Sequence, residues 1–356
     1  MTTLYKNGFL AIHGERVEKE LLVEDGVIKK IGVNLHGDEE IDLNGKTVYP
    51  KIIEEHSHGG GGIDFTLASV EEMKKLIDFY REQHVGTIFP TLMTDAKETM
   101  LSQIDKIVEL SKECPEVKGI HAEGPFLSHE YKGATPENYI QMPNMEMAKA
   151  LVEHGKGLLR LVTVSPELEN AYEVIEYFIS NGIRVNLGHS GATYEQAKKA
   201  MDLGANGFTH TFNAMRPIHQ HEIGISGLAL LSDGYCEAIC DGRHLHPTMV
   251  QLMLKDKGLD RIILVTDSIM AAGLPDGEYR LGANRIKVID GDARLWDMSS
   301  RAGSTLRSFD GVKNFASFTG LPLEKAIVPA TENPARYLGL NTGIIEEGRL
   351  AEIFVL

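Results

Sequence analysis

Short apolar runs recur along most of the chain, at 48–56, 86–91, 117–123, 158–164, 183–189, 206–212, 235–241 and 261–267. They are too short for helices and are rich in Ile, Val, Leu and Thr, so each reads as a buried strand. Helical patterns stand between them. Ser69 with Glu72 forms a capping box ahead of MKKLIDFYREQH, and Thr193 with Gln196 forms another ahead of AKKAMDLG. Eight β/α alternations over roughly 280 residues match a (β/α)8 barrel in size, with a doubly wound open sheet as the competing architecture. The ends of the chain differ in character. ELLVEDGVIKKIG and EIDLNGKTVY within residues 1–49 are short β segments broken by Asp-Gly and Asn-Gly, and TGIIEEGRLAEIFVL at the C-terminus is similar. The pattern predicts one small β domain built from 1–49 and 335–356, flanking a barrel over 50–334. Gly59 to Gly62 read as a tight loop, and no internal repeat or phosphate-binding glycine motif is found.

Composition narrows the class. With 356 residues, 42% hydrophobic and 24% charged, the chain can bury a large core. A formal net charge of −15 argues against nucleic acid or an anionic membrane as partner. Cys114, Cys236 and Cys240 give no disulfide framework. MTTLYKNGFL has no apolar signal core, and no run approaches the ~18 apolar residues of a membrane span. A soluble cytoplasmic protein is expected.

The candidate chemistry lies where the strands end. His56 and His58 are two apart, so an extended strand points both to one face, and imidazole suits zinc, iron and similar metals. Glu123 precedes Gly124-Pro125, and His189 and His210 end two further runs. Asp267 ends IILVT and is the natural general base, since a carboxylate beside a metal can take the proton of an attacking water and return it to a leaving amine. Each residue alone has a plainer reading: a packed or exposed histidine pair, a salt bridge for Glu123, structural histidines, a helix N-cap at Asp267. Their shared position at strand ends favours one divalent metal site on one rim. His121 shares the face of Glu123 and reads as core or as a support for the ligands.

Taken together, HxHGGGG, HAEGPF, GHSGAT, THTFNAMRP, DGRHLHP, TDSIMAAG and AGST resemble the amidohydrolase superfamily, and within it the N-acetylglucosamine-6-phosphate deacetylase family, over nearly the whole chain. The resemblance implies a (β/α)8 barrel with a small β-sandwich built from both termini, and hydrolysis of the acetamide of an amino-sugar phosphate. It implies that Glu123, His189 and His210 hold the principal metal, zinc or iron, that His56 and His58 allow a second ion, and that Asp267 activates water. His244 would assist the carbonyl oxygen or the sugar. Ala134, Thr135, Asn213, Ala214, His221, Ala302, Gly303 and Ser304 would line the substrate site, and a homodimer is implied.

Three departures from the family pattern stand out. Lys51 and Glu54 occupy positions where the family has Gly and Asp, Thr135 stands where it has His, and HQHEIG, with His221, replaces a loop carrying Arg. Losing a guanidinium weakens the case for a phosphate, with Arg216, His219 or Arg243 as substitutes. Strict alternation from His56 and His58 places Glu54 on their face and Ile53 and Glu55 on the other. Deacetylation of N-acetylgalactosamine 6-phosphate or of an unphosphorylated sugar is therefore the alternative, and a non-catalytic protein that kept the barrel is the reading from another class.

Overall fold

The computed structural model describes residues 1–356. Eight parallel strands lie side by side in chain order: β1 (Ile52–Ser57), β2 (Val85–Met93), β3 (Ile120–Glu123), β4 (Leu159–Val164), β5 (Arg184–Leu187), β6 (Gly207–Phe208), β7 (Tyr235–Ile239) and β8 (Ile262–Val265). The sheet closes on itself at one rim, where Asp267 N donates to His56 O at 2.9 Å and His58 N to Ser268 O at 2.8 Å. This is the barrel rather than the open sheet. β5, β6 and β8 stop two residues before His189, His210 and Asp267, so these strands are shorter than their apolar runs predict.

Helices cover the outside: α1 (Val70–Arg81), α2 (Lys97–Leu110), α3 (Met145–Gly155), α4 (Ala171–Ser180), α5 (Tyr194–Asp202), α6 (Gly224–Leu231), α7 (Pro247–Lys257) and α8 (Ser308–Thr319). Both expected capping boxes form, at Ser69 and at Thr193. Apolar faces such as Met73, Leu76, Ile77 and Tyr80 of α1 and Met100, Ile104 and Ile107 of α2 pack on the strands in one continuous layer. A second, smaller apolar cluster joins Ile53, Phe89, Leu161, Ile239, Ile263 and Val265 of the strands to Ala335, Tyr337 and Leu338. The helix Glu332–Leu338 therefore packs against the barrel.

Strand β1 departs from strict alternation. Its pairing with β2 shifts register twice, between Val85 and Thr87 and between Ile88 and Pro90, and such irregularities re-aim side chains. Ile53 consequently packs in the inner cluster and not against the outer layer of helices. Glu54 does not share the His56/His58 face. Its carboxylate spans the β1–β8 seam, accepting from Thr266 N at 3.3 Å, His56 N at 3.3 Å and Ser308 Oγ of α8 at 3.0 Å. Burial pushes its pKa up to about 7, against the pull of these donors. Glu55 is fully buried with neither carboxylate oxygen hydrogen-bonded; burial first, then Glu237 and Glu54, raise its pKa far above the ordinary range. An unpartnered buried carboxyl is destabilising. Glu55→Met, similar in volume, is expected to raise stability by about 1–3 kcal/mol, measured by urea denaturation; a less stable variant would show that Glu55 has a partner on which the fold depends.

The termini form two four-stranded sheets. One runs Val27–Gly32, Glu20–Glu24, Thr2–Lys6, Glu39–Asp42; the other runs Ile353–Val355, Thr47–Pro50, Phe9–Ile12, Glu15–Val17. Leu10, Leu21, Ile28, Leu43, Val48 and Ile345 fill the space between them. A third, antiparallel sheet (Gly277–Leu281, Asn284–Ile289, Asp292–Leu295) follows β8 and was not signalled by the apolar runs. It leans on the barrel rim through Asn284, whose Nδ2 donates to Ala134 O at 2.7 Å. No helix is long and apolar enough to cross a membrane.

Candidate metal centre and active-site cavity

At the closed rim six side chains from five strands converge. Glu123 Oε1 lies 3.1 Å from both His189 Nε2 and His210 Nε2, which are 3.0 Å from each other. Glu123 Oε2 lies 3.1 Å from His58 Nε2, and Asp267 Oδ1 is 3.2 Å from the same nitrogen. His56 Nε2 sits 3.5 Å from Glu123 and 3.6 Å from Asp267. Two ligand groups result, His56–His58–Asp267 and Glu123–His189–His210, with the Glu123 carboxylate reaching both.

The tautomers show what this arrangement needs. His189 Nδ1 is 2.9 Å from Tyr131 O, His58 Nδ1 is 3.2 Å from Thr91 O, and His56 Nδ1 is 2.8 Å from Glu237 Oε2. Each partner is an acceptor, so each Nδ1 carries the proton, and the Nε2 of a neutral ring presents a lone pair. Those lone pairs face carboxylate oxygens, acceptor against acceptor, and His56 Nε2 has no hydrogen-bond partner. A cation satisfies them all, and the N/O donor set suits a divalent metal. The carboxylates make this a place that draws positive charge, supplied by protons on the rings where no metal is bound. Burial opposes charge on His56 and His58, yet Glu237, Glu123 and Asp267 outweigh it and draw both pKa values up, that of His58 to about 9. Burial likewise works against charge on Glu123 and Asp267, but the histidines hold both carboxyls below their ordinary values.

The backbone is strained where it presents these groups. His189, His210 and Asp267 have φ of 49°, 29° and 48°. Left-handed conformations cost on the order of 1–3 kcal/mol each for such residues and cluster at functional sites. After His58 the chain enters a tight hairpin in which Gly59–Gly60 pairs with Ile63–Asp64, and glycine allows the close approach: a Cβ on Gly59 would lie 2.2 Å from Ile63 O, and one on Gly60 2.3 Å from the Phe79 ring.

Supports for the ligands come from residues the sequence did not single out. Glu237 of β7 accepts from His56 Nδ1, from His210 N at 2.9 Å and from Asn186 Nδ2 at 2.7 Å, while Asn186 Oδ1 accepts from Tyr337 OH at 2.5 Å. An acid inside the apolar run YCEAIC was the available signal. Such partners fix a ligand's tautomer, and their loss costs about 10–100-fold in metal affinity. Glu237→Ala is therefore expected to shed metal on dialysis against a chelator that leaves the parent protein loaded, read by elemental analysis; equal retention would remove Glu237 from this role. His121 lies outside both candidate ligand groups: its Nε2 is 2.9 Å from Thr163 Oγ1 and its ring packs edge-on against His56.

Above the centre opens a cavity of about 310 Å³. Of the expected site residues, His58, Glu123, His189, His210, Asp267, Ala134, Thr135, Asn213, Ala214, His244 and Gly303 line it. His56 is buried beneath. His221 is exposed and lies outside the cavity lining, Ala302 is buried in the cluster with Ile269 and Leu281, and Ser304 is tied to Thr266 O. Tyr131, Met93, Leu281 and Arg301 are among the other residues of the walls. His244 is oriented by Asp241, whose Oδ2 is 2.7 Å from Nδ1, leaving Nε2 as the free ring nitrogen.

A closed parallel barrel with histidine and acid ligands at its rim defines a metal-dependent hydrolase, and the chain belongs to the amidohydrolase family, whose pattern matches residues 47–356. It is 33% identical over 350 residues, 96% of this chain and 90% of the relative, to N-acetylglucosamine-6-phosphate deacetylase of Lysinibacillus sphaericus. It is 32% identical over 345 residues, 95% and 90% of the two chains, to N-acetylgalactosamine-6-phosphate deacetylase of Escherichia coli O157:H7. The fold superposes with a TM-score of 0.92, at 31% identity over 100% and 94% of the two chains, on an aspartate-to-alanine variant of the Mycobacterium smegmatis N-acetyl-D-glucosamine-6-phosphate deacetylase in complex with N-acetyl-D-glucosamine-6-phosphate. The Pasteurella multocida N-acetylglucosamine-6-phosphate deacetylase superposes with a TM-score of 0.94 at 28% identity, over 100% and 95% of the two chains.

Proposed function

We propose that this enzyme hydrolyses the acetamide of N-acetylglucosamine 6-phosphate, giving glucosamine 6-phosphate and acetate. The observation that carries the proposal is the gathering of Glu123, His56, His58, His189, His210 and Asp267 in two adjoining groups at the floor of the cavity, in a chain similar along 96% of its length to such a deacetylase. A divalent metal, zinc or iron, held there would polarise the amide carbonyl and make water acidic. His189, His210 and Glu123 are assigned the principal ion, and His56 and His58 a second. Asp267 takes a proton from the attacking water and delivers it to the amide nitrogen as the C–N bond breaks. His244 orients the substrate through its free Nε2, and Asn213, Ala214, Ala134 and Thr135 surround the sugar.

A second reading, the galactosamine epimer, is favoured by the Escherichia coli relative at 32% identity and by Thr135 in the cavity wall. Acetate release from N-acetyl hexosamines of both configurations, with and without a 6-phosphate, decides between them. The glucosamine reading requires its phosphorylated substrate to have the highest kcat/KM, and it falls if another sugar exceeds it tenfold. We further propose a cytoplasmic homodimer with a small β-sandwich domain, a reading supported by the family resemblance, the two terminal sheets and three buried, unpaired cysteines. Light scattering that returns a monomer mass overturns the dimer.

A further inference from the structure

Three buried hydroxyls stand behind the metal centre. Ser57 lies between the two histidines at the end of β1, Ser268 directly follows Asp267, and Tyr80 comes from the last turn of α1. Ser57 Oγ turns away from the ligands to meet Tyr80 OH and, at 2.8 Å, Ser268 Oγ. Tyr80 OH donates to Gly59 O at 2.9 Å, and Ser268 Oγ donates to the same carbonyl at 2.8 Å. The four groups close a ring in which every hydroxyl proton has a place: Gly59 O takes two, and Ser57 gives the third to Tyr80 or Ser268. Burial raises the Tyr80 pKa against the pull of Ser268 and Ser57, so the phenol keeps its proton. The aromatic ring of Tyr80 is itself fixed, stacked on Phe65 with centroids 6.2 Å apart.

This hydroxyl ring spans the seam between the first and last strands, β1 and β8, the one junction of the barrel that no β/α crossover closes. Ser268 O strengthens it by accepting from His58 N at 2.8 Å and Gly59 N at 3.0 Å. The seam divides one ligand group and spares the other. His56 and His58 stand on its β1 side and Asp267 on its β8 side, with Asp267 Oδ1 3.2 Å from His58 Nε2. Glu123, His189 and His210 stand at the ends of β3, β5 and β6, and their side chains bond to one another rather than to the hydroxyls. A buried hydroxyl gains the fold little that an apolar group of the same shape would not give, but a fully bonded network fixes geometry. What this one fixes is the distance between the ends of β1 and β8.

We propose that Tyr80 is a positioning residue that, through Ser57 and Ser268, holds His56, His58 and Asp267 at the spacing a second metal ion requires. The inference rests on the proposed function and deepens it, by assigning a distant helix to one of the two ligand groups. The test compares the parent protein, Tyr80→Phe and Ser57→Ala. Each is stripped with a chelator, checked for folding by circular dichroism and titrated with zinc by calorimetry, and acetate release from N-acetylglucosamine 6-phosphate is followed on the reloaded samples. Tyr80→Phe keeps the stacked ring and loses one oxygen. It is expected to leave the tighter site, assigned to Glu123, His189 and His210, within about twofold of the parent and to weaken the second site about 10–100-fold. On the reloaded enzyme kcat should fall about tenfold with KM little changed. Ser57→Ala leaves the two remaining hydroxyls on Gly59 O; it should show the same selectivity, and it carries the test if Tyr80→Phe does not fold. A merely structural hydroxyl would lower both affinities together or neither, and either result overturns the assignment. So does a parent protein that takes up a single ion, or a failure of both variants to fold. If two ions bind and no acetate is released from the sugar phosphate, the deacetylase reading fails, and the two affinities still decide Tyr80.

Discussion

Asp267→Asn is expected to lose about 1,000-fold or more in kcat while the protein stays folded and keeps its metal. The substitution removes the basic oxygen and little else. Asn is isosteric, and it is one of the few residues that tolerate the left-handed backbone seen at this position, where φ is 48°. The backbone bonds that close the barrel here, Asp267 N to His56 O and Ser304 N to Asp267 O, do not involve the side chain. Glu123, His189 and His210 remain as a complete ligand group. Acetate release and elemental analysis on the same sample check this. Activity within tenfold of the parent would show that another group moves the proton.

Glu123→Ala should have the larger effect on the metal. Its two oxygens lie 3.1 Å from three different imidazole nitrogens, so one carboxylate ties both ligand groups together. Removing it leaves His189 and His210 with no anion between them and His58 with only Asp267. Loss of a supporting contact alone costs about 10–100-fold in metal affinity, so loss of this ligand should exceed about 100-fold and take turnover with it. Metal titration followed by calorimetry measures the affinity. A variant that binds metal like the parent would mean that the four histidines suffice.

Much of this was legible in the sequence because the signals were local. Eight apolar runs alternating with capped amphipathic helices define the barrel, and the candidate ligands, which the fold brings together, interrupt those runs just before turn residues. What stayed hidden depends on register and on distant pairing. In β1 the expected alternation fails because two irregularities in its pairing with β2 turn Ile53 inward and Glu54 toward the seam, and spacing within one strand carries no record of its neighbour's bulges. Glu237 was overlooked although an acid in a buried strand is as anomalous as Glu54 or Glu55; only the fold shows that it reaches His56, 181 residues away in sequence. Arg301 was overlooked as a lining residue for a related reason: its charge looks like ordinary surface until the antiparallel sheet Gly277–Leu295, which it bridges at Arg294, folds over the rim. His221 was proposed from the motif, and within one chain its loop is exposed and lies outside that chain's cavity.

The central claim is that imidazole lone pairs and carboxylates at the rim are brought together to hold a cation that the hydrolysis requires. Its most direct test is to strip the protein with a chelator and follow acetate release from N-acetylglucosamine 6-phosphate as zinc or iron(II) is returned. The account predicts no turnover from the stripped protein and recovery that rises with bound metal and levels off at one or two ions per chain. Full activity in the metal-free protein would contradict it.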